Sequence, residues 1–250
     1  MGAKFSYYTK KLHRYFGVFI GIQFLLWTVG GFYFSWTNIT EIRGEHLLAE
    51  KDRLASAEDL ASPGQAAEDL VRSGQAKGIS NVRLAFLLDK PVYEIALETE
   101  NGSKTVLADA GTGELRGPIE KQEAVAISDA ALAKTSQVVD VRLITEKEVG
   151  GHHEYRGKPL PAWAVTYSEP SGLVVYVAKD TGRVESLRTP SWRVFDLFWL
   201  FHTLDLYGRD DINNWVLRAF SVLGLVTIFS GYFLFFITSP WFRRKRDRDS

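Results

Sequence analysis

Two long apolar runs stand at opposite ends of this chain of 250 residues. They cover residues 15–37 and 215–237, and the only charged residue in either run is Arg218. About 20 helical residues cover the ~30 Å hydrocarbon core of a bilayer, so each run is long enough to cross a membrane. The pattern therefore predicts a membrane hairpin that carries the intervening residues as a separate domain.

The charges around the two runs predict how the hairpin is oriented, because cytoplasmic flanks of membrane helices collect Lys and Arg. Basic residues lie outside both runs: Lys4, Lys10, Lys11 and Arg14 before the first, and Arg243, Arg244, Lys245, Arg246 and Arg248 after the second. We expect both termini to be cytoplasmic. Residues 41–190 hold 18 Lys and Arg against 24 Asp and Glu, a net charge of about −6, so the outer domain is mildly acidic and nucleic acid is not an expected partner.

The first run has two interpretations, a cleaved signal peptide and a retained anchor. A signal sequence has an apolar stretch of about 7–15 residues that ends in small residues. Here the run ends in an aromatic segment, Phe32-Tyr33-Phe34-Ser35-Trp36, which favours a retained anchor. The chain also has no cysteine, which excludes disulfides, thiolate metal sites, Cys nucleophiles and covalent c-type haem attachment.

The region between the anchors contains an internal repeat. In each copy a β-hairpin leads into a Thr-Gly turn, at Thr112-Gly113 and at Thr181-Gly182. A helix candidate and a further strand precede each hairpin. Proline marks the predicted starts of the two helices, Pro63 after the N-cap candidate Ser62 and Pro118 in the second copy. The predicted elements are the helix faces Ala66, Ala67 and Leu70, and Ala124, Ala126, Ile127, Ala130, Ala131 and Leu132; the first strands 82–87 and 139–144; and the hairpins 92–97 with 105–109 and 163–167 with 174–177.

These features predict an α+β fold in which two transmembrane helices flank two tandem helix, strand and hairpin units. The predicted segments are a cytoplasmic basic N-terminus 1–14, transmembrane helix 15–37, linker 38–61, first unit 62–117, second unit 118–190, interfacial aromatic helix 191–214, transmembrane helix 215–237 and cytoplasmic basic tail 238–250.

The chain resembles the PepSY-associated transmembrane proteins of bacteria over essentially its whole length. The resemblance rests on three features: Leu12-His13-Arg14-Tyr15-Phe16-Gly17 before the first membrane run, the two Thr-Gly hairpin units, and Phe201-His202-Thr203-Leu204 with Gly208 before the last run. It implies small α+β PepSY domains on the periplasmic side of the bacterial cytoplasmic (inner) membrane. Longer family members, with four such helices, include haem-containing reductases of ferric siderophores that serve iron uptake.

His13 and His202 are the candidate cofactor ligands, because imidazole ligates haem iron and both residues lie in the family motifs. The resemblance implies haem b at these positions. The alternative for His13 is a juxtamembrane residue that belongs to the basic topology signal. For His202, in the aromatic stretch before the last run, the alternative is a side chain that anchors in the lipid headgroups on an interfacial helix.

The spacing of the two histidines excludes one arrangement. The first run is about 33 Å long as a helix, whereas two axial nitrogens on one iron lie about 4 Å apart. His13 and His202 of one chain therefore cannot share a haem, and each needs a second ligand from a partner or a second copy of the chain. Small residues at Gly17 and Gly21, and at Thr227 and Gly231, suit such helix association, and they equally suit pairing of the two helices within one chain. Gln23 is expected to face protein rather than lipid.

Other residues give little sign of chemistry. His152-His153 lies in a glycine-rich insertion, which predicts a solvated loop rather than a metal site. His46 is expected on the surface of the linker. Motifs of hydrolases, metalloproteases, kinases and dinucleotide enzymes are missing from the sequence, so residues 41–190 offer no independent catalytic site.

Two functions from different classes remain. The first is a redox or haem-binding accessory subunit linked to siderophore-iron acquisition, at most one part of a haem-dependent ferric reductase system, and associated as a homodimer or with a partner membrane protein. The second is a non-enzymatic interaction or regulatory module whose PepSY units bind a periplasmic partner or inhibit a protease.

Overall fold

A computed structural model describes residues 3–50, 60–74, 76–100 and 102–239 of the chain. The chain divides into two compact units. The first, here called the helical unit, combines Met1–Thr37 with Val194–Ser250, and the second, the α+β unit, covers Asn38–Arg193. The structure does not describe several parts of these predictions: residues 51–59 of the linker, Asn101 of the first hairpin turn, the side chains of Lys4 and Ala66, and the basic residues Arg243, Arg244, Lys245, Arg246 and Arg248.

The secondary structure agrees with the predicted α+β class, and its strands form two four-stranded antiparallel sheets. The helices are α1 (Ala3–Trp36), α2 (Ile39–Ile42), α3 (Pro63–Arg72), α4 (Lys121–Ala131), α5 (Pro190–Thr203) and α6 (Trp215–Thr238). The strands are β1 (Gly78–Leu87), β2 (Lys90–Thr99), β3 (Gly102–Asp109), β4 (Leu115–Arg116), β5 (Val138–Ile144), β6 (Ala162–Tyr167), β7 (Val174–Ala178) and β8 (Val184–Arg188).

Two of the described helices are long and apolar enough to cross a membrane, Tyr7–Trp36 within α1 and the whole of α6. Few of their residues are buried, and large apolar side chains such as Val18 and Phe229 are exposed. A helix of the soluble core would bury such side chains against the rest of the protein. Their exposure is consistent with helices that face lipid.

Each repeat forms a meander of four strands, in the orders β1-β2-β3-β4 and β5-β6-β7-β8. Sequence analysis predicted three strands a repeat, and the structure adds β4 and β8 after the Thr-Gly turns. Helix α3 begins at Pro63, as predicted. Helix α4 begins at Lys121 rather than at Pro118, because the N–H of Ile119 pairs with the carbonyl oxygen of Lys179 at 2.8 Å and holds the preceding chain extended.

The two repeats match at the level of individual hydrogen bonds. In the first, the N–H of Ala61 donates to the carbonyl oxygen of Ala110, as Ile119 does to Lys179 in the second. The hydroxyl of Tyr93 donates to the Ala61 carbonyl at 2.7 Å, and the indole of Trp163 donates to the Ile119 carbonyl at 2.8 Å. Each repeat therefore ties the segment before its helix to the same points of its own sheet.

The repeats share one hydrophobic core instead of folding as two separate domains. Leu87, Val92 and Leu107 of the first sheet pack in the same buried cluster as Ile119 and Val175 of the second repeat. A core shared in this way buries more apolar surface than either repeat of about 55–70 residues buries alone. A smaller cluster around Leu70, Ile95 and Ala108 fills the space beneath α3.

The glycine-rich insertion before β6 is held more firmly than the solvated loop that the sequence predicted. Tyr155 is 0% exposed and stacks on Tyr176, with ring centroids 4.6 Å apart. The carboxylate of Glu154 accepts hydrogen bonds from Tyr176 at 2.8 Å and from Arg193 at 2.7 and 3.0 Å. Burial opposes ionisation of Glu154, but these hydrogen bonds prevail and lower its pKa.

Candidate functional site

His13 lies inside helix α1 rather than before it. The sequence placed the residue in a basic segment outside the membrane helix, but α1 already begins at Ala3. Residues such as Lys10, Leu12 and Arg14 have high helix propensity, and residues 4–16 include neither glycine nor proline. The helix therefore extends toward the N-terminus through this segment. His13 is thereby presented to the neighbouring helix instead of to bulk water.

Helices α1 and α6 run antiparallel, and they contact each other along the N-terminal part of α1. Phe24 packs at Gly224, where an added Cβ would come within 2.9 Å of the ring, and Phe19 lies 5.3 Å from Phe220 between ring centroids. The absence of a side chain at Gly224 lets the aromatic ring approach the α6 backbone closely. The pairing of the two apolar helices within one chain, left open by the sequence, is present here.

The imidazole of His13 contacts α6 directly. Its Nδ1 atom lies 2.7 Å from the hydroxyl oxygen of Ser230, and that hydroxyl donates to the carbonyl oxygen of Thr227 at 2.8 Å. An added Cβ on Gly231 would lie 3.2 Å from Cε1 and 3.8 Å from Nε2 of the imidazole. The Nε2 edge of His13 therefore faces the surface of α6 at a position that carries no side chain.

A mostly apolar cavity of about 550 Å³ opens beside this imidazole. Six residues of α6 line it together with His13: Thr227, Ile228, Gly231, Tyr232, Phe235 and Phe236. Small-molecule and cofactor sites have volumes of about 300–1,000 Å³, apolar walls and a few placed polar groups. The cavity at His13 has this volume and apolar walls, and it is open on one side, where Tyr232 and Phe235 are 62% and 60% exposed.

Helix α5 packs antiparallel along the other, C-terminal, part of α1. Phe195 lies 4.8 Å from Phe34, and Phe198 lies 5.1 Å from Tyr33, between ring centroids. The predicted helix 191–214 is thus shorter than expected: it ends at Thr203, where Leu204 has a φ of +52°. Residues 204–214 form a loop that leads into α6.

The last carbonyls of α5 are all hydrogen-bonded. Gln23 is 6% exposed and donates to the carbonyl oxygen of Phe201 at 2.7 Å, which confirms that it faces protein. Trp27 donates to the carbonyls of Phe201 and His202, and Asn214 donates to that of Thr203 at 2.9 Å. Helix ends leave such carbonyls without partners of their own, which is costly away from water. These side chains therefore allow α5 to end against α1.

His202 stands at this end of α5 in an aromatic cluster. Its ring stacks on Trp199 with centroids 6.2 Å apart, and it lies 6.2 Å from Trp27 and 6.0 Å from Phe34. The residue is exposed. The surrounding rings hold the imidazole at the surface of the helical unit and leave one side of it accessible.

The structure keeps the two candidate ligands apart. The ring of His202 lies beside Trp27 and Phe34 on α1, about 21 to 32 Å along the helix axis from His13. This is several times the ~4 Å between two axial nitrogens on one iron. The two histidines mark two distinct positions, as their spacing in the sequence required.

The loop after α5 contains a buried network that the sequence analysis did not identify. Asp205 accepts hydrogen bonds from the backbone N–H groups of Gly208 and Asp211, each at 3.0 Å, and they lower the pKa of its carboxyl group. Asp196 of α5 pairs with Arg209. These contacts fix the loop that connects His202 to α6. The acidic residues that follow Leu204 were the available sequence signal for this network. Their hydrogen-bond partners are set by the conformation of the turn, which the spacing of the residues along the chain does not show.

The remaining histidines are not arranged as a metal site. Within the described part of the chain, three or more His, Cys, Asp or Glu side chains nowhere come together in a way that could hold a metal ion. His153 accepts a hydrogen bond from the backbone N–H of Tyr155 at 3.0 Å, which orders the insertion.

The sequence analysis also did not identify Ser230 and the cavity beside it. A single serine in an apolar run gives no sign of which side chain it contacts.

Comparison of the chain with protein-family models, with curated proteins and with solved structures gives no match.

Proposed function

We propose that this protein is a membrane-anchored, haem-binding accessory subunit of a redox system, linked to bacterial iron acquisition. The observation that carries the proposal is the open cavity of about 550 Å³ at His13, which the imidazole lines together with apolar side chains of α6. The link to iron and to PepSY domains rests on the family resemblance of the sequence. A b-type haem bound there would supply one-electron transfer.

The residues at His13 fit such a group. Haem needs an imidazole nitrogen, apolar and aromatic walls and a gap for the flat ring. The cavity offers His13, the rings of Tyr232, Phe235 and Phe236, and the side-chain-free surface at Gly231. Among the described residues His13 is the one histidine that lines the cavity, so we propose that the second ligand comes from another copy of this chain or from a partner membrane protein.

The residues at His202 fit the outer position. Trp199 and Trp27 bracket the imidazole, and its exposure allows approach of a haem shared with a second chain. The aromatic rings would pack against the macrocycle, while the hydrogen bonds of Trp27 to the α5 carbonyls hold the backbone of His202 in place. Each histidine then contributes one ligand at its own level of the membrane.

The charge distribution supports the orientation that we propose. Basic residues lie between each apolar helix and the nearer terminus of the chain, which favours cytoplasmic termini. The α+β unit, which carries the acidic balance, then lies in the periplasm as a pair of PepSY-like repeats, with the helices in the bacterial inner membrane.

An absorption spectrum of the detergent-purified protein, as isolated and after addition of hemin, tests the proposal. We expect a reducible b-type Soret band. His13→Ala and His202→Ala should each lower the bound haem, and the double variant should abolish it, with the circular dichroism of the α+β unit unchanged. His46→Ala is the matched control, because His46 is exposed and lies in the other unit. A protein that binds no hemin, or binds it equally in the double variant, would contradict the proposal.

The second candidate function is a periplasmic interaction module, and the edge strand β5 favours it. Within the described chain β5 pairs on one side only, with β6, and Val139 at its irregular start is 65% exposed. An extended peptide could add to such an edge through main-chain hydrogen bonds. Absence of haem after hemin addition, together with loss of partner binding on Val139→Asp, would favour this function.

A further inference from the structure

We propose that Ser230 is the positioning residue of the inner haem site: it fixes the proton of His13 on Nδ1 and leaves Nε2 as the ligand atom. The inference rests on the proposed function, and it specifies how the site is prepared before any haem arrives.

The tautomer follows from the hydrogen bonds around one hydroxyl group. A serine hydroxyl has a single hydrogen to donate. With this hydrogen directed to the carbonyl oxygen of Thr227, one turn back on α6 at 2.8 Å, Ser230 makes the bond to its own backbone that is usual for a serine inside a helix. Toward His13, at 2.7 Å, the same oxygen can then only accept. A neutral imidazole carries one N–H, so that proton is on Nδ1 and the lone pair is on Nε2.

The chain of hydrogen bonds has a fixed direction, from His13 through Ser230 to Thr227. In apolar surroundings consecutive hydrogen bonds strengthen one another and are costly to break. The opposite tautomer would place an N–H on the Nε2 edge, beside Gly231 in apolar surroundings, and it would leave Nδ1 without a proton to give Ser230. The helix contact therefore selects the ligand-competent form of the imidazole.

Gly231 completes the arrangement, because it is the residue beside Nε2. A Cβ at this position would lie 3.2 Å from Cε1 and 3.8 Å from Nε2 of His13, where it would crowd the ring and narrow the approach to its free nitrogen. Ser230 and Gly231 thus act from consecutive positions, one on each edge of the same imidazole. In metal sites, such partners of a ligating histidine typically change metal affinity about 10- to 100-fold when they are removed.

Nitrogen NMR of the full-length protein in detergent, labelled with ¹⁵N-histidine, tests the tautomer without haem. His13→Ala assigns the signals. We expect wild-type His13 to show a protonated Nδ1 and a bare Nε2, and Ser230→Ala to shift the proton toward Nε2. Ser221→Ala is the matched control, since Ser221 is on the same helix and makes the same kind of bond, to the carbonyl of Leu217 at 2.8 Å.

Hemin titration of the same variants tests the consequence. Ser230→Ala should weaken hemin binding at the His13 position about 10- to 100-fold, in a His202→Ala background that leaves one site, while Ser221→Ala leaves it unchanged. A wild-type His13 protonated on Nε2, or equal hemin affinity with and without Ser230, would overturn the role of Ser230. Wild-type protein that binds no hemin would overturn the proposed function instead, and the nitrogen spectrum would still decide the tautomer.

Discussion

Arg183 in the Thr-Gly turn of the second repeat donates from Nε to Oε1 of Glu94 in the first repeat at 2.9 Å. Glu94 is 5% exposed, and Arg83 on the neighbouring strand donates to both of its carboxylate oxygens, at 3.1 and 3.0 Å. One buried carboxylate therefore binds two guanidinium groups, one from each repeat. It connects the repeats electrostatically, next to the apolar core that they share.

Replacing this carboxylate should destabilise the α+β unit. Glu94→Gln keeps the shape of the side chain but removes the charge that both arginines face. We expect a loss of about 1–2 kcal/mol, at the low end for hydrogen bonds to charged groups because both arginines are half-exposed to water. The midpoint of thermal unfolding, followed by the β-sheet circular dichroism of the full-length protein, should fall by roughly 2–8 °C.

Glu98→Gln provides the control for this substitution. Glu98 lies on the same strand, β2, but is exposed. Its replacement should leave the midpoint unchanged. Equal effects of the two substitutions would show that the interaction between the repeats does not stabilise the fold.

The same carboxylates predict the pH dependence of stability. Burial opposes ionisation of Glu94 and Glu154, but hydrogen bonds from their arginine partners prevail and hold both pKa values below the usual glutamate value. The unfolded chain therefore binds protons more tightly than the folded one. Stability should be complete well above pH of about 4.3, the ordinary glutamate pKa, and should be lost as the pH falls through the lower folded values.

Chemical denaturation at a series of pH values measures this dependence. Glu94→Gln should be less stable at neutral pH and should lose less stability on acidification than the wild type. A variant that keeps the full wild-type acid sensitivity would indicate that other groups control it.

The two Thr-Gly turns offer a matched pair of glycines. Gly113 and Gly182 both have positive φ, +78° and +69°. A Cβ on Gly182 would lie 2.5 Å from Leu87 and 3.2 Å from Ile119, whereas on Gly113 the one described side chain within 4 Å would be Ala61, at 3.7 Å. Both alanine variants carry the backbone cost of about 1–2 kcal/mol, and Gly182→Ala adds an overpacking cost of about 1–3 kcal/mol. The midpoint of thermal unfolding should be lower for Gly182→Ala than for Gly113→Ala. The reverse order of the midpoints would contradict the close packing at Gly182.

How much of this was accessible from the sequence depended on whether the signal was local. The repeat could be predicted, because Thr112-Gly113 and Thr181-Gly182 mark turns by residue type alone. The apolar helices could be predicted from their length and composition. The shared core could not be predicted, because nothing in the sequence around Leu87 shows that this residue packs in one cluster with Ile119 of the other repeat. At the site, His13 and His202 stood out by chemistry, but the contact of His13 with Ser230 joins residues at opposite ends of the chain.

The packing of α5 on α1 can be tested by a disulfide, and the cysteine-free chain gives a clean background. A Cβ on Gly30 would lie 3.7 Å from the Cβ of Phe198, which is close to the mean Cβ separation in disulfides. Gly30→Cys with Phe198→Cys should oxidise readily, so that alkylation and mass spectrometry of the purified protein find no free thiol. Gly31→Cys with Phe198→Cys is the control, because a Cβ on Gly31 meets no described atom within 4 Å. Equal oxidation of both pairs would contradict this helix contact.

The orientation of the hairpin gives the last prediction. Basic residues outside both apolar helices should hold the termini in the cytoplasm, since Lys and Arg cross the membrane reluctantly. Alkaline phosphatase, which is active only after export, should therefore be active when fused after residue 120 and silent when fused after residue 248. A green fluorescent protein fused after residue 248 should fluoresce, because it folds in the cytoplasm. Phosphatase activity at the C-terminus would reverse the orientation, and it would place the α+β unit on the cytoplasmic side.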